Sequence, residues 1–98
     1  MFRHVVMFRW KPDTSPDVVA SIEAGLAGLP AVIPELRDYR FGRDAGISTG
    51  AYDFVVVADF DSPEDFVAYR DHPTHRAVAD GQILPNAAER AAVQYVAG

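Results

Sequence analysis

The chain has 98 residues, which is the length of one domain, and its content of 49% apolar and 23% charged residues is typical of a globular protein rather than a disordered one. Its formal net charge of −5 argues against a nucleic acid or an anionic membrane as partner, because both need a basic surface. It has no cysteine, which excludes disulfides and thiolate chemistry. We find no signal peptide and no apolar run long enough to span a bilayer, so we expect a cytoplasmic protein.

The first half of the sequence predicts a strand, a helix and a second strand. The first strand is predicted from Phe2 to Trp10. A helix then begins at Ser15 and Pro16, an N-cap residue followed by proline at the first helical position, and it ends at Pro30. The second strand is predicted for residues 36–43.

The second half predicts a strand, an interrupted helix and a final strand. Residues 52–60 are rich in valine and aromatic residues and predict the third strand. A helix begins at Ser62 and is interrupted at His72, because Pro73 disfavours helical geometry in the residue before it. Residues 91–96 close the chain as a strand. The order β-α-β-β-α-β over residues 1–98 predicts a single α+β domain of ferredoxin-like fold, with helices on one face of a four-stranded antiparallel sheet.

The first and third strands are antiparallel neighbours in this topology, and their residues predict that two copies of the chain associate. With Arg3 opposite Asp59, one face has an apolar centre and a further Arg9–Asp53 pair at its other end. The opposite face is richer in aromatic residues and should meet the helices. The first face then needs a partner, and pairing of two sheets into a homodimeric barrel provides one. The predicted interface comprises Val5, Met7, Val55 and Val57.

Three side chains are candidates for chemistry. His4 lies in an otherwise apolar row of the first strand, Tyr69 lies late in a helix, and His75 lies in the first turn after Pro73. The helix dipole there disfavours the imidazolium, so His75 stays neutral and can act as a base. A phenol beside it can donate a hydrogen bond to a developing oxyanion. Spacing alone favours structural roles, because a lone histidine in an apolar strand is more often a hydrogen-bonded core residue.

A metal site is the second hypothesis that the histidines raise. His72 and His75 have an H-x-x-H spacing, but Pro73 breaks the helix between them and no further ligand is evident. We therefore predict no metal and expect His72 to cap the turn before Pro73. No nucleotide or flavin motif is present, so we expect no cofactor.

Four segments resemble the stress-responsive α/β-barrel family, often called Dabb. The segments are residues 4–8, Ile33-Pro34 with Phe41-Gly42, residues 52–56, and Tyr69-Arg70-Asp71-His72-Pro73-Thr74-His75. They span nearly the whole chain in the right order. The resemblance implies a homodimer whose sheets form a barrel, with a pocket between the sheet and the helices of each copy.

One branch of that family includes plant polyketide cyclases, which close a linear polyketone by intramolecular aldol condensation. They use a histidine of the H-P-x-H segment and a nearby tyrosine, which match His75 and Tyr69, and their first-strand pocket histidine matches His4. Phe54 replaces a further pocket histidine of the cyclases, and Leu26 replaces a tyrosine, so the implied substrate differs. The implied substrate-binding residues are Val6, Phe8, Ile22, Leu26, Phe54 and Val56.

Three functions remain open at this point. The first is a cofactor-free, cyclase-like enzyme for a small apolar carbonyl or phenolic compound, with His75 as base, Tyr69 as oxyanion donor and His4 orienting the substrate or sharing a proton. The second is a non-enzymatic stress-associated homodimer or ligand-binding protein. The third is a cofactor-independent monooxygenase, which nothing in the sequence separates from the first.

Overall fold

Four strands form one antiparallel sheet in the order β2-β3-β1-β4 in the computed structural model, which covers all 98 residues. The strands are β1 (Phe2–Trp10), β2 (Asp38–Arg43), β3 (Phe54–Phe60) and β4 (Ala87–Val96). The helices pack on one face, which confirms the predicted ferredoxin-like β-α-β-β-α-β arrangement. The final strand starts earlier than predicted, at Ala87, and the third starts later, at Phe54.

The helical layer has two parts. Between β1 and β2 lie α1 (Pro16–Ala27) and α2 (Leu29–Val32), and between β3 and β4 lie α3 (Pro63–Asp71), α4 (Pro73–Val78), a π-helical turn (Ala79–Ile83) and α5 (Leu84–Asn86). The helix starts are capped as predicted. The Ser15 hydroxyl accepts a hydrogen bond from the Val18 amide, and the His72 Nδ1 accepts one from the Thr74 amide. His72 therefore caps the start of α4 at the break between the two helices.

The predicted register of β1 against β3 is confirmed. Arg3 lies opposite Asp59, and its guanidinium donates two hydrogen bonds of 2.7 and 2.8 Å to that carboxylate. The predicted Arg9–Asp53 pair is wrong. Asp53 precedes β3, and its carboxylate accepts a hydrogen bond from the Trp10 amide at 2.8 Å. Arg9 pairs instead with Glu89, its cross-strand neighbour on β4.

The core lies between the sheet and the helices. Residues of β1 alternate between buried and half-buried, as a strand covered on one side does. Ile22 and Leu26 of α1 and Tyr69 of α3 pack against the buried row. On the sheet, the buried residues of this layer are His4, Val6, Phe8, Phe54, Val56, Ala58 and Phe60.

The opposite face of the sheet has no helix over it. Val5 and Val57 lie opposite each other there and are half-buried, as are Met7 and Val55. The strand β4 widens this face, because Val93 lies opposite Val5 and is 57% exposed. The apolar strip thus runs across three strands. None of the helices has the length and apolar character needed to cross a membrane.

Candidate functional site

A cavity of about 270 Å³ lies between the sheet and the helices that connect β3 to β4, and most of its lining is apolar. The structure brings seven of the nine predicted site residues to it. These are His4, Val6, Phe8, Leu26, Val56, Tyr69 and His75.

The other two predicted residues, Ile22 and Phe54, lie outside this lining. Ile22 is fully buried and Phe54 is 2% exposed. The Phe54 ring packs 6.2 Å from the Phe41 ring and 5.7 Å from the Trp10 ring. Both side chains belong to the core that supports the cavity wall.

The break between α3 and α4 positions His75. Its Nδ1 is 2.9 Å from the backbone carbonyl oxygen of Arg70, near the end of α3. A carbonyl can only accept, so Nδ1 carries the proton, and in the neutral ring Nε2 is an unprotonated acceptor. Burial lowers the pKa of His75 below its usual value, so the ring is neutral at pH 7. This is the state that a general base requires.

His4 has the opposite tautomer. It is 5% exposed, and its Nδ1 is 2.9 Å from the side-chain nitrogen of Gln94, directly opposite on β4. The amide nitrogen can only donate, so Nδ1 accepts, and the proton of the neutral ring sits on Nε2. Burial, with a smaller effect of the Arg90 charge, lowers the pKa of His4 to about 4.

Both free ring nitrogens are accessible. Neither Nε2 atom has a hydrogen-bond partner within the chain. Every fully buried side-chain nitrogen or oxygen has such a partner, so both Nε2 atoms are at least partly exposed. Both rings line the cavity. The site therefore presents one acceptor, on His75, and one donor, on His4.

Tyr69 lies between His75 and the sheet. Its ring centre is 4.2 Å from that of His75, and its hydroxyl is 2.9 Å from the hydroxyl of Tyr39. Burial raises the pKa of Tyr69 to about 12, so its hydroxyl keeps its proton at pH 7. Tyr39 does not line the cavity. When Tyr39 donates to Tyr69, the proton of Tyr69 is left for a molecule in the cavity.

Tyr39 is a site residue that the sequence analysis did not single out. It lies on β2 opposite Ala58, which also lies opposite His4 on the other side. The small alanine side chain leaves room between the two larger ones. Tyr39 shares its strand face with Phe41, and this alternation was the available signal.

Three arginines at the cavity were also not predicted. Arg70, Arg76 and Arg90 line it, and no acidic side chain does. Arg70 pairs with Asp71 at 2.9 Å, and Arg76 pairs with Asp80. His, Asp and Glu side chains form no group of three that could hold a metal ion.

Comparison with known proteins identifies the family. The model of the stress responsive A/B barrel domain matches residues 2–97. The chain belongs to the stress-responsive A/B barrel family. A family relative, the stress-response A/B barrel domain-containing protein HS1 of Arabidopsis thaliana, is 27% identical over 75 residues, which are 74% of this chain and 69% of that protein.

Solved structures share the fold of this A/B barrel protein. A dimeric ferredoxin-like protein of unknown function from Thermobifida fusca is 48% identical, with a TM-score of 0.91 over 98% of this chain and 90% of that one. The hydroxynitrile lyase of Passiflora edulis is 22% identical, with a TM-score of 0.86 over 99% of this chain and 93% of that one. At that identity the lyase shows the fold alone.

The lowered pKa of His4 predicts that this A/B barrel protein loses stability in mild acid. The unfolded state takes up the proton near pH 6.5, whereas the folded state does so only near pH 4, so the stabilisation is complete above about pH 6.5 and falls as the pH drops towards 4. We expect the free energy of unfolding to fall by about 2 kcal/mol between about pH 7.5 and pH 5 through His4. His75 acts in the same direction.

Urea unfolding at several pH values measures this dependence. The variant His4→Gln retains a hydrogen-bonding group but does not titrate, so its stability should vary less over the same interval. If the free energy of unfolding changed equally with pH in the variant and the wild type, the fold would not hold His4 neutral.

Proposed function

We propose that this protein binds a small apolar carbonyl or phenolic compound in the cavity and catalyses cofactor-free proton transfer next to a carbonyl group, as in a cyclase or lyase of the aldol type. The observation that supports it most is the pair of neutral histidines with opposite tautomers on one apolar cavity. Enolisation needs a base on one side and a hydrogen-bond donor on the other.

In the proposed reaction, Nε2 of His75 removes a proton from the carbon next to the carbonyl group. The electron pair of the broken C–H bond moves to the carbonyl oxygen, which accepts hydrogen bonds from Nε2–H of His4 and from the Tyr69 hydroxyl. In an aldol closure the enolate carbon attacks a second carbonyl of the same molecule. The imidazolium of His75 returns its proton to the new alkoxide, so the enzyme ends in its starting state.

Tyr39 is a positioning residue in this proposal. Its hydrogen bond lowers the pKa of the Tyr69 hydroxyl, against the larger effect of burial, and so favours negative charge at that oxygen. The cavity volume suits a compact substrate, since drug-sized ligands occupy pockets of about 300 to 1,000 Å³. Most of the lining is apolar, so the wall offers an apolar surface to the body of such a substrate.

Replacement of His75 tests the catalytic role. We screen phenolic, polyketone and fatty-acid-like compounds for a rise in melting temperature, since a ligand that binds only the folded state raises stability by mass action. Compounds that bind the wild type are then tested for turnover. His75→Ala should lower turnover by at least about 100-fold, the usual contribution of a general base, while the protein stays folded.

His72→Ala is the matched control, because His72 caps α4 and does not line the cavity. It should lower stability slightly and leave turnover unchanged. Binding without turnover in the wild type would favour a ligand-binding protein over an enzyme. No binding by any compound, with His75→Ala merely less stable, would assign His75 a structural role.

We further propose that two copies pair through the uncovered sheet face, as a homodimeric barrel. The proposed interface is the half-buried set Val5, Met7, Val55 and Val57, which Val93 extends. Two such faces can bury each other because a two-fold interface joins the same patch on both copies. The Thermobifida fusca structure is described as dimeric.

Val57→Asp tests this interface. A carboxylate at the centre of a dry interface costs several kcal/mol without a partner, so size-exclusion chromatography with light scattering should give a monomer or an aggregate. Val96→Asp is the matched control, because Val96 is 80% exposed and lies opposite Phe2 on the other face. A Val57→Asp protein that remains a dimer would rule out this interface.

A further inference from the structure

The charged groups of the cavity are all of one sign. Its lining contains three arginines and no carboxylate, although the whole chain has a net charge of −5. Guanidinium groups keep their charge at any physiological pH. A cavity with apolar walls is thus bordered by positive charge on a protein that is otherwise acidic.

Two of the three arginines are already neutralised. Arg70 pairs with Asp71 within α3, and Arg76 pairs with Asp80 of the π-helical turn that follows α4. Arg90 forms neither an ion pair nor a side-chain hydrogen bond anywhere in the chain. One positive charge at the cavity is therefore without a counter-charge.

The position of Arg90 places this charge beside the proposed catalytic groups. It lies on β4 opposite Phe8, and Gln94, which holds His4, lies on the same face of the same strand. The side chain of Arg90 is exposed while it lines the cavity, which puts it at the opening. A charged group of a ligand bound there stays in contact with water, and the rest of the ligand faces the apolar wall.

We infer that the ligand is a monocarboxylate with an apolar or aromatic body, whose carboxylate pairs with Arg90 at the cavity opening. This inference rests on the proposed function of the same cavity. The planar guanidinium donates two parallel hydrogen bonds that match the two oxygens of a carboxylate. A single free charge matches a monoanion, whereas a phosphate dianion needs a second free cation. Anchoring at the opening also orients the body of the ligand towards His4 and His75.

Isothermal titration calorimetry with a matched pair of probes tests this inference. The probes are 3-phenylpropanoate and 3-phenylpropanamide, which differ in the charged group and share the apolar body. The wild type should bind the acid about tenfold more tightly than the amide, a modest effect for charge-assisted hydrogen bonds because Arg90 is exposed to water. The preference should weaken as the salt concentration rises.

Arg90→Gln should remove the preference by weakening the acid about tenfold and leaving the amide unchanged. Arg37→Gln is the matched control, because Arg37 is exposed, pairs with Asp61 and lies outside the cavity. It should retain the wild-type preference.

The outcomes separate this inference from the proposed function. Equal binding of acid and amide by the wild type, or an Arg90→Gln protein that still prefers the acid, would overturn the carboxylate assignment and leave the apolar site intact. Failure of both probes to bind, together with no hit in the thermal screen, would contradict the ligand-binding cavity itself and the carboxylate assignment with it.

Discussion

At the centre of the sheet, β1 is hydrogen-bonded to β3 on one side and to β4 on the other, and its register with both decides where the sheet's polar side chains lie in the site. Side chains alternate between the two faces, so a shift by one residue would move His4 from the cavity to the uncovered face. The Arg3–Asp59 pair and the aligned valines of β1 and β3 oppose such a shift. The same register brings Gln94 opposite His4, and its side-chain amide selects the tautomer of His4 with the proton on Nε2.

The second half of the site depends on a broken helix. Proline at position 73 ends α3, and His72 caps the new start, so His75 turns back onto the carbonyl oxygen of Arg70. An uninterrupted helix would use that carbonyl in its own ladder. The break thus supplies the acceptor that places the proton on Nδ1 of His75. Burial keeps both histidines neutral, and hydrogen bonds to the surrounding backbone and side chain give them opposite roles.

The sequence allowed the element order, the β1–β3 register and the division of the sheet into two faces to be predicted, because each rests on the alternation of apolar residues or on proline and serine signals. The prediction of an Arg9–Asp53 pair failed because the Asp53 carboxylate accepts a hydrogen bond from the Trp10 amide, and Arg9 pairs with Glu89 of β4. The start of β4 was placed too late because small alanines on both faces of this edge strand give no alternation. The positions of Arg90 and Gln94 on the sheet could therefore not be predicted. Arg90 supplies the unpaired charge at the cavity, and Gln94 sets the tautomer of His4.

The proposed proton transfer requires two neutral histidines in opposite tautomers. Two-dimensional ¹⁵N–¹H NMR of the imidazole rings near neutral pH tests it directly, because protonated and unprotonated ring nitrogens differ strongly in ¹⁵N shift. The structure predicts a proton on Nδ1 of His75 and on Nε2 of His4, with neither ring charged. The same tautomer in both rings, or an imidazolium at either position, would rule out this division of roles between His75 and His4.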